Sequence, residues 1–112
     1  MIKGIGDVAV MVSDGKSAAA WYGQKLGFKV LSSEGHWITV APAGASTVIH
    51  LCEGDLEPGN TGIGLIVDDV RETFKELSAK GVKFTKEPAD EGFGLYAMFS
   101  DLDGNEFWLT AP

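Results

Sequence analysis

Cysteine and positive charge are both scarce in this sequence. Cys52 is the only cysteine among 112 residues, which excludes an intrachain disulfide and a CxxC metal motif. Nine Lys and Arg residues stand against sixteen Asp and Glu residues, a formal net charge of −7. Contacts with phosphate groups need a basic patch, so this balance argues against a nucleic-acid partner. A single cysteine is typical of a chain kept in a reducing cytoplasm.

Long apolar runs are also missing. No stretch reaches the roughly 18 apolar residues that a membrane-spanning helix needs. The first twenty residues end in three alanines, as a secretory cleavage site does, but Asp7 and Asp14 interrupt the apolar segment that a signal peptide requires. We therefore expect a cytoplasmic protein with no membrane segment.

Common catalytic motifs are absent as well. The sequence contains no GxSxG nucleophile motif, no GxxxxGK phosphate loop and no HExxH zinc motif. Gly62 and Gly64 lie inside a predicted strand, and no helix follows at the spacing of a dinucleotide-binding motif. These motifs therefore assign no catalytic residue.

Apolar periodicity predicts two helices and about eight strands. One helix follows Asp14, covers residues 16–26 and ends at Gly27, whereas the other follows Asp69 and covers residues 70–80. Alternating runs bounded by turn residues predict the strands. These runs are 7–12, 28–32, 37–41, 46–52, 62–67, 82–86, 95–100 and 106–110.

The order of these elements repeats. Each half of the chain reads as one strand, one helix and three strands, and the segment 12–14 corresponds to 67–69. A repeat of this length indicates two copies of one βαβββ unit rather than a solenoid. We interpret residues 1–112 as a single domain built of units 1–52 and 62–112, joined by the linker 53–61.

Two short segments resemble those of a known family. WYGQKLGF (21–28) and DLDGN (101–105), with the surrounding pattern of residues 2–109, resemble the vicinal oxygen chelate superfamily, which contains glyoxalase I, bleomycin resistance proteins and extradiol dioxygenases. Leu102 departs from the DPDGN that is usual there. The resemblance implies an α+β fold in which two βαβββ units form curled mixed sheets around an open cleft, and it implies a homodimer.

The resemblance also implies four metal-ligand positions. In this chain they fall on Asp7, His50, Gly62 and Trp108, of which only the first two carry side chains that coordinate a metal. Glu106 shares a strand face with Trp108 and is a third candidate. We expect a cleft without metal, and the alternative is a divalent metal held by Asp7, His50 and Glu106.

A cleft without metal needs another explanation for its polar residues. First and fourth strands of a unit are expected to line the same cleft, so Asp7 and His50 are predicted to form a hydrogen bond. That pair either orients a ligand or is a structural remnant of a metal site. Aromatic and apolar side chains are expected to form the walls. They are Trp37, Tyr96, Met98 and Trp108.

Three functions are compatible with this pattern. The preferred one is binding of a small organic molecule in an aromatic-lined cleft without metal, as the resistance proteins of the family do. The second is a metal-dependent lyase or isomerase of the glyoxalase type, or a dioxygenase-type enzyme. The third is a dimeric scaffold with a vestigial site. Fold alone does not decide among them, because one fold hosts several chemistries.

Overall fold

The computed structural model describes residues 1–92 and 94–112. The described chain contains eight strands and two helices in the predicted βαβββ order, repeated once. In the first half they are β1 (Asp7–Val12), α1 (Gly15–Leu26), β2 (Lys29–Glu34), β3 (Trp37–Ala41) and β4 (Val48–Glu53). In the second half they are β5 (Gly59–Ile66), α2 (Val70–Ala79), β6 (Lys83–Asp90), β7 (Leu95–Ser100) and β8 (Asn105–Thr110).

The two halves form two compact units, residues 1–57 and 58–112. The first unit contains a sheet of strand order β1-β4-β3-β2, and the second a sheet of order β5-β8-β7-β6. In each sheet the first two strands of that order are parallel and the other pairs are antiparallel. The predicted α+β class with two mixed four-stranded sheets is therefore confirmed.

Capping residues that are recognisable in the sequence lie at the start of α2 and at the end of α1. Asp69 caps α2 with its side chain, which accepts a hydrogen bond from the backbone N–H of Glu72 at 3.0 Å. Gly27 ends α1 in the left-handed conformation, at φ 73°, which a residue without Cβ adopts at little cost. Neither helix in the described part of the chain is long and apolar enough to cross a membrane.

Each helix packs on one face of its own sheet and closes a core there. Val12 and Leu51 in the first unit, and Phe99 and Phe107 in the second, have no solvent exposure. Along β1, β4 and β8 these buried residues alternate with partly or fully exposed ones. The other face of each sheet therefore presents the intervening side chains, as the alternation of the sequence predicts.

Two strands differ clearly from their predictions. β6 ends at Asp90 rather than at residue 86, and β5 starts earlier than predicted. β5 begins at Gly59, inside the segment predicted as linker, so residues 54–58 alone separate it from β4. The backbone N–H of Gly59 bonds to the carbonyl of Gly104 at 2.9 Å, and the Thr61 hydroxyl bonds to the carbonyl of Glu106 at 2.8 Å. These partners lie more than forty residues away, so the local sequence EPGNT, which reads as a turn, does not reveal the pairing.

Candidate functional site

The face of the second sheet opposite its helix carries three of the predicted wall residues. Met98 of β7 lies directly opposite Trp108 of β8, and Tyr96 lies opposite Thr110. Because side chains two residues apart on a strand share a face, Tyr96, Met98 and Trp108 lie on the same side of the sheet. We call Tyr96 and Trp108 together the aromatic platform.

The rings of the platform contact each other beside a cavity. Their centroids are 5.5 Å apart and their planes are tilted by 31°, within the range of favourable aromatic pairs. The adjoining cavity has a volume of about 530 Å³, the size of sites that hold drug-like molecules. Its wall includes the start of α2 and the residues that follow β8. The lining residues besides the platform include Val70, Arg71, Leu95 and Thr110.

The indole of Trp108 has a fixed polar partner. Its Nε1–H donates to Oδ1 of Asn60 at 3.0 Å, and the same oxygen accepts from the backbone N–H of Gly62 at 2.8 Å. Sequence reasoning did not identify Asn60. The Asn-x-Gly spacing does indicate a local turn in which the amide oxygen binds a backbone N–H. It contains no sign of the contact with a residue 48 positions away.

The phenol of Tyr96 also has partners that the sequence did not reveal. Its hydroxyl donates to Oε2 of Glu91 at 3.0 Å. The Lys86 ammonium forms an ion pair with the same carboxylate and lies 5.5 Å from the centre of the Tyr96 ring. This lysine lies in β6, opposite Met98, because register shifts interrupt the β6–β7 pairing. The three side chains form one network that holds the tyrosine.

Ionisation of this network follows its contacts. The hydrogen bond with Lys86, and then that from Tyr96, hold the pKa of Glu91 below its ordinary value of 4.5. The same carboxylate raises the pKa of Lys86. Desolvation, followed by the bond to Glu91, raises the pKa of Tyr96. At neutral pH the network therefore consists of a carboxylate, an ammonium and a neutral phenol.

The equivalent face of the first sheet carries the other predicted residues. Trp37, which is 53% exposed, stacks on His50 with ring centroids 4.0 Å apart and planes tilted by 40°. Nε2 of His50 lies 3.5 Å from the carbonyl of His36. Trp37 and His50 thus form a second aromatic pair on this face of the first sheet.

Asp7 does not make the contact predicted for it. Its side chain forms no hydrogen bond or ion pair with any residue in the part of the chain that the structure describes, so the predicted bond to His50 is absent. The register explains why: Asp7 lies opposite Val48, whereas His50 lies opposite Ala9. Two residues along a strand amount to about 6.6 Å, which is too long for a direct hydrogen bond. Both residues nevertheless lie on the same face of the sheet.

The four metal positions implied by the resemblance contain two residues that cannot coordinate. Gly62 has no side chain, and Trp108 donates its only polar hydrogen to Asn60. Glu106, the third candidate ligand, accepts a hydrogen bond from Thr85 at 3.1 Å. Among residues 1–92 and 94–112, no group of three or more His, Cys, Asp or Glu side chains is arranged to hold a metal.

Two βαβββ units, each with a helix on one face of a mixed sheet and aromatic side chains on the other, define the class of this protein. The model of the Glyoxalase/Bleomycin resistance protein/Dioxygenase superfamily matches residues 4–109. The chain belongs to this family, and the resemblance seen in its sequence is confirmed.

Two relatives of known structure and one further relative support the assignment over almost the whole chain. A member of the same superfamily from Sphaerobacter thermophilus DSM 20745 is 35% identical, with a TM-score of 0.90 over 99% of this chain and 98% of that one. TnmS3, an antibiotic binding protein from Streptomyces sp. CB03234, is 34% identical, with a TM-score of 0.88 over 99% of this chain and 97% of that one. The protein YetH of Bacillus subtilis strain 168 is 33% identical over 97% of this chain and 98% of its own length.

Proposed function

We propose that this protein binds a small planar organic molecule by stacking on its aromatic side chains, without a metal ion. The observation that carries the proposal is the aromatic platform of Tyr96 and Trp108 beside a cavity of about 530 Å³. Flat rings at the wall of such a cavity favour planar apolar ligands, because stacking adds to the free energy gained by burial.

Other residues on the sheet faces fit the same role. Met98 lies opposite Trp108 and supplies a flexible apolar side chain that adapts to ligand shape. Trp37 and His50 offer a second aromatic pair, and the exposed carboxylate of Asp7 is an acceptor for a polar group of the ligand. The relative TnmS3, described as an antibiotic binding protein, supports binding of a small molecule as the function.

The assembly and location that we propose follow from simpler features. A chain of 112 residues buries a limited share of its surface, and apolar side chains remain exposed on it. Leu31 is 54% exposed and Ile66 is 76% exposed. A homodimer that covers such residues, present in the cytoplasm where a lone Cys52 stays reduced, is the form that we propose.

The test is a titration with acridone, a neutral planar molecule, with adamantan-1-ol as a compact non-planar control. We expect acridone to bind equally well with and without chelator, and adamantan-1-ol to bind at least about tenfold more weakly. Trp108→Leu should lower the affinity for acridone about tenfold, the loss of roughly 1.4 kcal/mol of stacking. Trp21→Leu is the matched control, because Trp21 lies in α1 on the opposite side of its sheet.

Two results would contradict the proposal. One is wild-type protein that binds neither acridone nor any other planar probe. The other is near-stoichiometric metal in protein purified without a metal-binding tag, lost in His50→Ala, together with ligand binding that chelator abolishes. The second result would favour the metal-dependent enzyme instead.

A further inference from the structure

We propose that Asn60 is a positioning residue that fixes the plane of the Trp108 indole for ligand stacking. The inference rests on the proposed function, since it concerns how the same platform is prepared for its ligand. Asn60 is not one of the residues that line the cavity, and it acts on the site through its hydrogen bond to Trp108, which does line it.

The hydrogen bonds of Asn60 leave one orientation of its side chain. Both partners, the indole Nε1–H of Trp108 at 3.0 Å and the backbone N–H of Gly62 at 2.8 Å, can only donate. The amide must therefore present its oxygen to both, and each of the two lone pairs of that oxygen receives one bond. A single acceptor thus ties the ring to the backbone of the neighbouring strand.

The backbone around Asn60 is built to hold it there. Asn60 lies opposite Glu106 and Gly64 lies opposite Trp108, so three residues of β5 (61–63) stand against the single residue Phe107 of β8, and the strand bulges there. Gly62 occupies the bulge at φ 75°, a conformation that glycine adopts at little cost, and its N–H donates to the Asn60 oxygen. The Thr61 hydroxyl secures the bulge by donating to the Glu106 carbonyl and accepting from the N–H of Ile63.

The hydrogen bond between Trp108 and Asn60 should strengthen the stacking of a ligand on the indole. Trp108 is only partly buried, so the packing of the sheet leaves its ring freedom that a stacked ligand would have to restrict. A hydrogen bond that already fixes the ring removes that cost before the ligand arrives. Loss of the bond should weaken stacking about three- to tenfold, the range expected for ordering one large side chain or losing one hydrogen bond.

The experiment combines the indole N–H signals in a ¹⁵N-correlated NMR spectrum with acridone affinity. The Trp108 signal is identified by its disappearance in Trp108→Phe. We expect Asn60→Leu to shift this signal and speed its exchange with water, and to weaken acridone binding about three- to tenfold. Asn60→Asp keeps both acceptor bonds and should restore the affinity to within about twofold. Gln24→Leu, the same change of an amide on an exposed position of α1, is the control.

A second variant removes the donor alone and so does not depend on the folding of Asn60→Leu. β-(3-Benzothienyl)alanine in place of Trp108 keeps the shape of the ring, lacks the N–H and leaves the Asn60–Gly62 bond intact. We expect it to weaken acridone binding by a similar factor. Unchanged affinity in this variant, or in folded Asn60→Leu, overturns the positioning role while the proposed function stands. Failure of wild-type protein to bind any planar probe overturns both.

Discussion

The turn between β7 and β8 depends on one buried carboxylate. Asp101 is 7% exposed, and its Oδ1 accepts hydrogen bonds from the backbone N–H groups of Asp103 and Asn105, both at 2.9 Å. Its Oδ2 accepts from the side-chain amide of Asn105, also at 2.9 Å. Because this turn aligns Met98 with Trp108, the carboxylate also sets the register of the aromatic platform.

Asp101→Ala should therefore destabilise the protein by about 3 kcal/mol. A hydrogen bond to a charged acceptor contributes about 1.5–3 kcal/mol. The two bonds from Asn105, which is 3% exposed, have no water to replace them, whereas the N–H of the partly exposed Asp103 can be hydrated. Asp101→Ala also removes the free-energy cost of burying a carboxylate, and this gain offsets part of the lost hydrogen-bond energy. In Asp101→Asn the side-chain oxygen still accepts from the backbone N–H groups of Asp103 and Asn105. The new amide NH₂ then faces the NH₂ of Asn105, donor against donor, so the variant should lose about 1 kcal/mol of stability.

Urea unfolding monitored by circular dichroism measures these differences. With a slope of about 1.5 kcal/mol per molar urea, a loss of 3 kcal/mol lowers the midpoint by about 2 M. For a domain of this size the same loss lowers Tm by about 12 °C. If Asp101→Ala costs less than about 1 kcal/mol, or if Asp101→Asn is as destabilising as Asp101→Ala, the Asp101 carboxylate does not stabilise the turn in this way.

Two further predictions concern ionisation and assembly. The lowered pKa of Glu91 means that its ion pair contributes stability above its ordinary pKa of 4.5, a contribution lost as pH falls through the lower folded value. The stability difference between wild type and Glu91→Gln in urea should therefore be present at pH 7 and shrink below about pH 4.5, and a difference that grows on acidification would contradict this sign. Sedimentation should give a mass of two 11.9 kDa chains, whereas a single chain at all concentrations would exclude the homodimer.

Most of the fold could be predicted from the sequence because its signals are local. β3 and β7 have the predicted bounds, and both helices start within one residue of theirs, since alternation and capping residues act over a few positions. β5 could not be delimited, because its first residues pair with β8 through contacts that no local pattern encodes. Gly59, at φ 121°, suits the start of this strand but reads in sequence as part of a turn.

The sequence predicted which side chains of the candidate site share a sheet face, but not which of them contact each other. Alternation placed Tyr96 and Met98 on one side of β7 because the period of a strand is two, and the family resemblance placed Trp108 with them. The resemblance also placed Asp7 and His50 on one face but could not give their offset along it, which depends on the register of a parallel pair distant in sequence. Asn60 was missed for the same reason.

The polar groups of the aromatic platform, the indole N–H and the phenol hydroxyl, are both bound by other side chains of the protein. The indole N–H of Trp108 binds Asn60, and the hydroxyl of Tyr96 binds Glu91. Trp108, which is partly exposed, therefore offers a ligand a face of its ring, whereas Tyr96 is buried beside it with Lys86 over its ring. The donors of both rings are already used by the protein. A site of this kind discriminates by shape and planarity and tolerates changes in polar substituents, because no buried donor is left unpaired when a substituent is missing. The proposed binding of planar molecules would therefore extend to compounds that differ in their polar substituents.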